Sequence, residues 1–472
     1  MPRRPIVAVT FLAVAAAGAN ADWPQWRGPG RDGAADAAPL TLPADGLPPV
    51  WKTADRLEGG WSSPVVADGR VYLYSYERVR REGVELPPPE YPRLSDEQEA
   101  AMPRAEAAEY ERNRRAEALE RQKRTLAIRD AVRCFDLSDG RELWTAGWDG
   151  RVVHWGQSST PAVAGGRLYV VGSDNRLHAV DSKTGETLFD ADLRWESEDG
   201  VPLSTSPLVA DGAVVILAGR LMAVDAETGR TLWETDPDRF GGTYGSTVLH
   251  GDTVIANVDG GETVGVSLAD GAERWRVKSG AGRSTPAVVG DRLLTTGSSR
   301  RDGLRCWRLG GSEPAEEWVY QRVADAGASP AAGGGLAMVA GDRKFAAVDL
   351  DTGREVWRTD VDADRPRFTS PIALGGQGLY ACDGFWLVDS GGDVTSARFI
   401  DDGLLLPEGA VRERLNLDEL ERTAGGQAEA QRLWNDRVHK QGPLLCTTPA
   451  FADGRLVVRL KTGLACYELP AR

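Results

Sequence analysis

The side chains that most often carry enzyme chemistry are few in this 472-residue sequence and lie far apart. It contains 5 Cys and 4 His. No two cysteines are adjacent and none form a CxxC motif, which disfavours a redox pair or a thiolate metal site. The histidines show no H-x-x-x-H spacing, so a zinc site of that kind is not indicated. The spacing therefore predicts neither a metal centre nor a disulfide framework.

No motif in the sequence indicates a catalytic serine or a functional group of carboxylates either. The sequence has no G-x-S-x-G nucleophile elbow. The Asp-rich stretch 349–364 lacks the ordered D-x-D-x-D-G spacing of a Ca²⁺ loop. Acidic residues are nevertheless numerous, so a carboxylate pair of the glycosidase kind stays open.

Composition indicates a packed, acidic protein. Hydrophobic residues make up 41% of the chain, which is enough for a core. Lys plus Arg is 56 and Asp plus Glu is 70, giving a net charge of −14. We expect no nucleic-acid partner, because non-specific binding relies on a basic surface that displaces counterions from phosphate.

The first 21 residues read as a signal peptide. Arg3 and Arg4 precede an apolar run over 6–17, and Ala19-Asn20-Ala21 is a small-x-small cleavage site. A membrane anchor would need about 20 apolar residues. We expect the chain to be exported to the periplasm or beyond the cell, with a mature region of residues 22–472 and no transmembrane segment in it.

An internal repeat organises the rest of the chain. Each copy opens with a Ser/Thr-Pro step, and most openings are about 40 residues apart. A degenerate copy at Gly245-Ser246-Thr247-Val248 lacks the proline. The other openings are Ser62-Ser63-Pro64, Ser159-Thr160-Pro161, Thr205-Ser206-Pro207, Ser284-Thr285-Pro286, Ser329-Pro330, Thr369-Ser370-Pro371 and Thr447-Thr448-Pro449.

Each repeat predicts four short strands joined by glycine turns. Four residues after the last turn glycine stands an aromatic residue, as Trp233 does after Gly229. Eight units of this kind predict an all-β, eight-bladed propeller. The last copy has room for only three strands, so the segment around Trp51 is expected to supply its fourth and to close the ring.

The Ala-Val-Asp-x-x-Thr-Gly-x-x-x-Trp pattern of 223–233 and 347–357 resembles the tryptophan-docking repeat of pyrroloquinoline-quinone (PQQ)-like β-propellers. The stretch 22–29, Asp-Trp-Pro-Gln-Trp-Arg-Gly-Pro, is similar to the start of secreted bacterial members that resemble BamB. The resemblance implies a role between neighbouring blades for the tryptophans. These are Trp51, Trp144, Trp233, Trp275, Trp318 and Trp357.

The resemblance also raises quinoprotein dehydrogenase activity as an alternative. Those enzymes hold PQQ against a disulfide of adjacent cysteines and use Ca²⁺ with an aspartate base. Here Cys134, Cys306 and Cys466 instead occupy a third-strand position that is alanine in other repeats. We therefore expect no cofactor, no metal site and no catalytic residue, with PQQ plus Ca²⁺ as the alternative.

Two insertions interrupt the repeat. Residues 77–130 fall within the first blade and predict a charged helix from about Ser95 to Ile128, started or kinked at Pro103. Residues 401–441 lie between blades 7 and 8 and predict two helices, one beginning near Asn416. Blade connectivity places both on one face, so we expect them to stand together there.

Residues just before the Ser/Thr-Pro steps should surround the channel mouth on that same face. We interpret this ring as a partner-binding face, because aromatic residues and arginine are frequent at interaction hot spots. The function favoured is a monomeric, non-catalytic scaffold that binds a protein partner, with envelope protein assembly as its expected setting. A periplasmic PQQ-dependent dehydrogenase or a carbohydrate-active enzyme is the alternative. The candidate residues are Trp61, Trp155, Tyr244, Arg283 and Phe368.

Overall fold

The computed structural model describes most of the chain from Asp22 to Leu469. The described ranges are 22–35, 39–53, 57, 59–196, 200–242, 244–363, 368–401, 403–423 and 425–469. The predicted signal peptide, residues 1–21, lies outside the described residues.

Eight antiparallel sheets are arranged as blades around a central channel, which confirms the predicted eight-bladed propeller. In chain order, blade 1 consists of Val65–Ala67, Arg70–Arg80, Leu126–Asp136 and Glu142–Gly150, and blade 2 of Ala162–Ala164, Arg167–Val171, Arg176–Asp181 and Thr187–Asp192. Blade 3 consists of Leu208–Ala210, Ala213–Leu217, Leu221–Asp225 and Thr231–Glu234, and blade 4 of Val248–His250, Thr253–Val258, Glu262–Ser267 and Glu273–Lys278.

Blades 5 to 8 repeat the pattern, with extra strands on blade 7. Blade 5 consists of Ala287–Val289, Arg292–Thr296, Leu304–Arg308 and Ala315–Tyr320, and blade 6 of Ala331–Gly333, Leu336–Gly341, Lys344–Asp349 and Glu355–Asp360. Blade 7 consists of Ile372–Leu374, Gln377–Ala381, Phe385–Val388 and Val394–Ile400. The C-terminal part of the chain gives blade 8 three strands, Ala450–Ala452, Arg455–Leu460 and Gly463–Glu468.

The ring closes as the sequence predicts. The strand Trp51–Lys52 pairs antiparallel with the last strand of the chain, with Trp51 opposite Cys466, and becomes the fourth strand of blade 8. A second short strand, Ala34–Ala35, runs parallel to the innermost strand of blade 7 on its channel side. The residues that precede blade 1 thus contact both the outer and the inner part of the ring.

The six tryptophans of the repeat all lie in fourth strands, at the junctions between blades. Trp233 of blade 3 rests on Gly271 of blade 4, and its Nε1 donates to the carbonyl oxygen of Leu268 at 2.8 Å. The indole nitrogens of three others make the same kind of bond to the next blade. They are Trp51 to Leu137, Trp144 to Ser182 and Trp318 to Leu350.

Small residues stand opposite these rings in the neighbouring third strands. Cys134 pairs with Trp144 and Cys306 with Trp318, in the register where Ala223 pairs with Trp233. A larger side chain would fill the space that the indole occupies. All five cysteines are free thiols, and burial raises the pKa of Cys306 to about 12. Cys134, Cys306 and Cys466 are thus packing residues, as the sequence pattern indicates, whereas Cys446 is partly exposed.

The first insertion is a helical arm on blade 1. Helices α1, Asp96–Ala100, and α2, Arg104–Thr125, lie between the second and third strands. Ser95 caps α1 in a capping box, and α2 begins directly after Pro103, as predicted. The flanking strands are longer than the sequence indicates: they stay paired out to Arg80 and Leu126, so the helix ends at Thr125 and not at Ile128.

Helix α3, Pro237–Phe240, is a single helical turn that follows blade 3. The second insertion follows blade 7. It begins with a strand that the sequence did not predict, Leu404–Pro407, which pairs with the fourth strand of blade 7. Three helices and one 3₁₀ turn follow. They are α4, Glu408–Arg414; α5, Leu417–Arg422; α6, Gly426–Arg437; and the turn His439–Gln441.

The two insertions pack against different parts of the propeller. Leu119 of α2 packs on Gly200, in the connection from blade 2 to blade 3. The 3₁₀ turn instead contacts blades 7 and 8, through His439 with Asp383 and Lys461. The first insertion thus contacts the connection between blades 2 and 3, and the second contacts blades 7 and 8. Across the described ranges, no helix is both long and apolar enough to cross a lipid bilayer.

Candidate functional site

The chain closes one end of its own central channel. Residues 22–35, here called the channel plug, cross the channel at the level of the innermost strands. Backbone hydrogen bonds tie the plug to blades 1, 2, 6 and 7. The bonded pairs are Trp23 with Val66, Pro24 with Val163, Asp32 with Ala332 and Gly33 with Ala373.

Two buried arginines fix the plug. Arg27 donates to the carbonyl oxygens of Pro330 at 2.5 Å and Pro371 at 3.2 Å, in blades 6 and 7. Arg31 donates to the carbonyl oxygens of Ser206 at 3.1 Å and Pro207 at 2.8 Å, in blade 3. Burial lowers the pKa of Arg27 to about 10 and that of Arg31 to about 9, so both stay cationic at neutral pH.

Above the plug, the hydroxyls of the Ser/Thr-Pro steps form a ring. In each link, the backbone N–H of one blade donates to the hydroxyl oxygen of the equivalent residue in the next blade. These bonds run from blade 8 through blade 1 to blade 7. The donor–acceptor pairs are Thr448–Ser63, Ser63–Thr160, Thr160–Ser206, Ser206–Ser246, Ser246–Thr285, Thr285–Ser329 and Ser329–Ser370.

This ring explains the repeated residue type. A Ser or Thr at this position satisfies a buried backbone N–H of the preceding blade, which would otherwise lack a partner. Ser246, in the copy that has lost its proline, keeps the hydroxyl and both of its neighbours in the ring. The hydroxyl, rather than the proline, is therefore the element that joins the blades.

Plug and ring together leave a blind cup that opens on the mouth face. The cup has a volume of about 370 Å³. Its floor is Trp26, whose Nε1 donates to Thr285 Oγ1 at 3.2 Å. The structure brings all five predicted candidate residues to the wall of this one cup. They are Trp61, Trp155, Tyr244, Arg283 and Phe368.

The rim residues support one another. The rings of Trp155 and Tyr244 stack with centroids 6.2 Å apart, and Arg283 Cζ lies 4.3 Å from the centre of the Tyr244 ring. Phe368 is held at a φ of 64°, with its ring over Gly327. A left-handed conformation is costly for a bulky residue, so it needs support from its surroundings. Asp325 gives that support, because its Oδ1 accepts from the N–H groups of Gly327 and Phe368.

The polar side chains that face the cup can each donate a hydrogen bond. Thr285 Oγ1 already accepts from Ser246 N and from Trp26 Nε1, so its hydroxyl proton remains as a donor. The hydroxyls of Ser206, Ser246 and Ser329 each accept one bond of the ring and keep a proton to donate. The guanidinium of Arg283 carries donors and no acceptor atom. Among the described residues that line the cup, none is an aspartate or glutamate.

This donor set does not fit PQQ with Ca²⁺. Ca²⁺ is bound by carboxylate and other oxygen ligands. No described carboxylate lines the cup, and within the described part of the chain no three His, Cys, Asp or Glu side chains are grouped to hold a metal. Nothing replaces the disulfide of adjacent cysteines, because every cysteine is free. The cup also lacks the carboxylate pair of a glycosidase among these residues.

The sequence pattern missed the floor of the cup. Trp26 and Arg27 belong to the stretch from which the family resemblance was inferred, and Arg31 follows it, but the partners of the two arginines are mostly backbone carbonyls far along the chain. Such partners leave no signature in the sequence. A usable signal was the pair of arginines in an otherwise apolar and glycine-rich stretch, because a buried arginine needs several acceptors.

Comparison with known proteins gives the family. A family model described as outer membrane protein assembly factor BamB matches residues 129–307 and 269–438. A curated protein of that name from Vibrio cholerae serotype O1 is 28% identical over 254 residues, which are 51% of this chain and 64% of the relative. The match therefore spans less than two thirds of that relative's length.

Solved structures share the fold at low identity. BamB from Moraxella catarrhalis has a TM-score of 0.51 at 15% identity, over 71% of this chain and 88% of its own. The quinohemoprotein alcohol dehydrogenase of Comamonas testosteroni has a TM-score of 0.56 at 13% identity, over 97% and 82%. These likenesses show a common propeller and nothing about activity.

The two matched ranges of the family model cover more than half of the 472 residues and extend from blade 1 into the second insertion. They include the repeats whose hydroxyls and tryptophans join the blades. The chain belongs to the BamB family of outer membrane protein assembly factors.

Proposed function

We propose that this protein is an exported, non-catalytic scaffold that binds a protein partner during assembly of the cell envelope. Its recognition surface is the mouth of the cup. The observation that carries this proposal is the meeting of Trp61, Trp155, Tyr244, Arg283 and Phe368 around one blind opening. Aromatic residues and arginine make the largest contributions to protein interfaces, and here they are concentrated at one place.

The rigidity of the surroundings supports a binding role. Each rim residue precedes a Ser/Thr-Pro step or its degenerate copy, and the hydroxyl ring fixes those steps relative to one another. A preorganised surface loses little conformational entropy on binding, which favours affinity. The tryptophans between the blades act in the same way, as docking residues that hold neighbouring sheets in position.

Export belongs to the same proposal. Residues 1–21 have the charge and apolar pattern of a signal peptide, and the curated relative is named for outer membrane protein assembly. We place the mature protein in the periplasm, as a monomer without a bound cofactor. Fractionation of cells that express the full chain, with mass spectrometry of the mature N-terminus, tests this placement; a cytoplasmic protein that keeps residues 1–21 would contradict it.

A pull-down from the native envelope tests the binding role. The variants Trp61→Ala and Arg283→Gln should each lower partner recovery at least tenfold, because hot-spot truncations typically cost more than about 1.4 kcal/mol. Arg354→Gln is the matched control, since Arg354 is exposed in a turn on the opposite face. Equal recovery by all variants, with unchanged circular dichroism, would refute the assignment. Dye reduction that depends on added PQQ and Ca²⁺ would refute the non-catalytic role.

A further inference from the structure

The channel plug restricts what the cup can hold. A chain that threads a propeller needs an opening at both ends, and residues 22–35 close one of them. A cup of about 370 Å³ is also at the small end of ligand-site volumes, which run from about 300 to 1,000 Å³. Only a small group can therefore reach the floor, such as a side chain or the end of a peptide.

The walls select an apolar, flat group. Trp26 forms the floor, and Trp61, Trp155, Tyr244 and Phe368 form the sides. Aromatic rings pack against one another in offset or edge-to-face geometry, and such pairs add to the effect of area burial alone. A phenylalanine or tyrosine side chain can make these contacts with several walls at once.

The polar groups select a hydrogen-bond acceptor with negative charge. Arg283 is exposed at the rim and makes no ion pair with any described residue. Thr285 offers a hydroxyl proton from the wall, since its oxygen already accepts two bonds. Arg31 lies just outside the wall and is bonded to the carbonyl oxygen of Ser206, so its charge acts in the same direction.

The nearby carboxylates do not themselves line the cup. Asp325 lies behind Phe368, where its Oδ1 accepts from backbone N–H groups, and its charge acts on Cys446 in the wall. Asp32, in the plug, lies close to Arg27 and offsets part of the charge of that residue, not that of Arg283. Among the described residues that line the cup, Arg283 is therefore the only charged side chain, in a protein whose total charge is −14.

We propose that the cup binds the C-terminal residue of a polypeptide partner, with an aromatic side chain on the floor and the free α-carboxylate paired with Arg283. This inference rests on the proposed scaffold function and specifies what its recognition surface takes. A chain end is the part of a protein that combines a narrow tip with a carboxylate beside an aromatic side chain.

Tryptophan fluorescence titrations of the full mature protein test the proposal. The probe is an acetylated Gly/Ser pentapeptide that ends in phenylalanine, as the free acid and as the C-terminal amide. The acid should bind at least tenfold more tightly, because a hydrogen bond to a charged partner contributes more than a neutral one. Arg283→Gln should lower affinity for the acid at least tenfold and so remove the difference between acid and amide, whereas Arg354→Gln should keep the difference.

Each alternative has its own outcome. Equal affinity for acid and amide, or no binding of either, would overturn the inference. So would 3-phenylpropionate binding as tightly as the peptide acid, which would indicate a site for a small aromatic acid. If the envelope pull-down still depends on Trp61 while the peptides show no preference, only this inference fails. If the pull-down is unaffected by Trp61→Ala, the proposed function itself fails.

Discussion

Replacement of Gly271 by alanine tests how blades 3 and 4 are held together. Gly271 lies in the turn before the fourth strand of blade 4, at a φ of 73°, and the Trp233 indole of blade 3 rests on it. A Cβ at position 271 would lie 2.6 Å from Trp233 Cε3, closer than real Cβ contacts allow. Either the ring or the turn must then move.

The expected cost has two parts. The left-handed conformation costs an alanine about 1–2 kcal/mol, and the steric overlap adds about 1–3 kcal/mol, as overpacking does in other cores. Gly212→Ala is the matched control, because Gly212 has a φ of 76° and its Cβ would meet no atom within 4 Å. The free energy of unfolding of Gly212→Ala should therefore fall only by the cost of the left-handed conformation.

Urea unfolding of the two variants separates these parts. A double-mutant cycle with Trp233→Ala should show a coupling of about 1–3 kcal/mol, because removal of the indole leaves nothing for the new methyl group to strike. Trp233→Ala alone should cost about 3–5 kcal/mol, as large-to-small core changes do. If Gly271→Ala costs no more than Gly212→Ala, the indole does not fix this junction and the reasoning is wrong.

Two further changes test buried polar groups. Ser206→Ala removes the acceptor of Thr160 N in the hydroxyl ring and should lower the free energy of unfolding by about 1–3 kcal/mol, the cost of an unsatisfied buried donor; an unchanged urea midpoint would contradict the role of the ring. Burial raises the pKa of Asp130 from 3.8 to about 6, so its ionisation opposes folding. Wild-type stability should fall, relative to Asp130→Asn, by up to about 3 kcal/mol as pH rises from 4 to above 6. A difference between the two proteins that does not vary with pH would refute this assignment.

The repeat predicted the blades because its signals are local and are copied eight times. The turn glycines, the aromatic of the fourth strand and the Ser/Thr-Pro step each have a fixed place relative to the strands. Even the closure of the ring could be inferred, since the last copy lacks a fourth strand and Trp51 stands in an equivalent position. The rim residues were placed together by the same logic, and the cup confirms their shared location.

The sequence predicted the strands less well where the chain departs from the repeat. The strands of blade 1 continue to Arg80 and Leu126, but the outer end of the second strand, from Arg78 to Arg80, is exposed at every position. It therefore lacks the alternation of apolar and polar residues by which a strand is recognised. The strand Leu404–Pro407 was missed for a different reason: its pairing partner is known only once the neighbouring sheet is placed.

The residues before blade 1 connect the two features on which the cup depends. Trp51 closes the ring through the last strand of the chain, and residues 22–35 close the channel by bonds to blades 1, 2, 3, 6 and 7. The plug can contact blades on opposite sides of the channel only when the ring is complete, and the cup has a floor only when the plug is in place. Ring closure and the formation of the cup are therefore coupled, since loosening either one weakens the other. The cup therefore exists only in the fully folded protein.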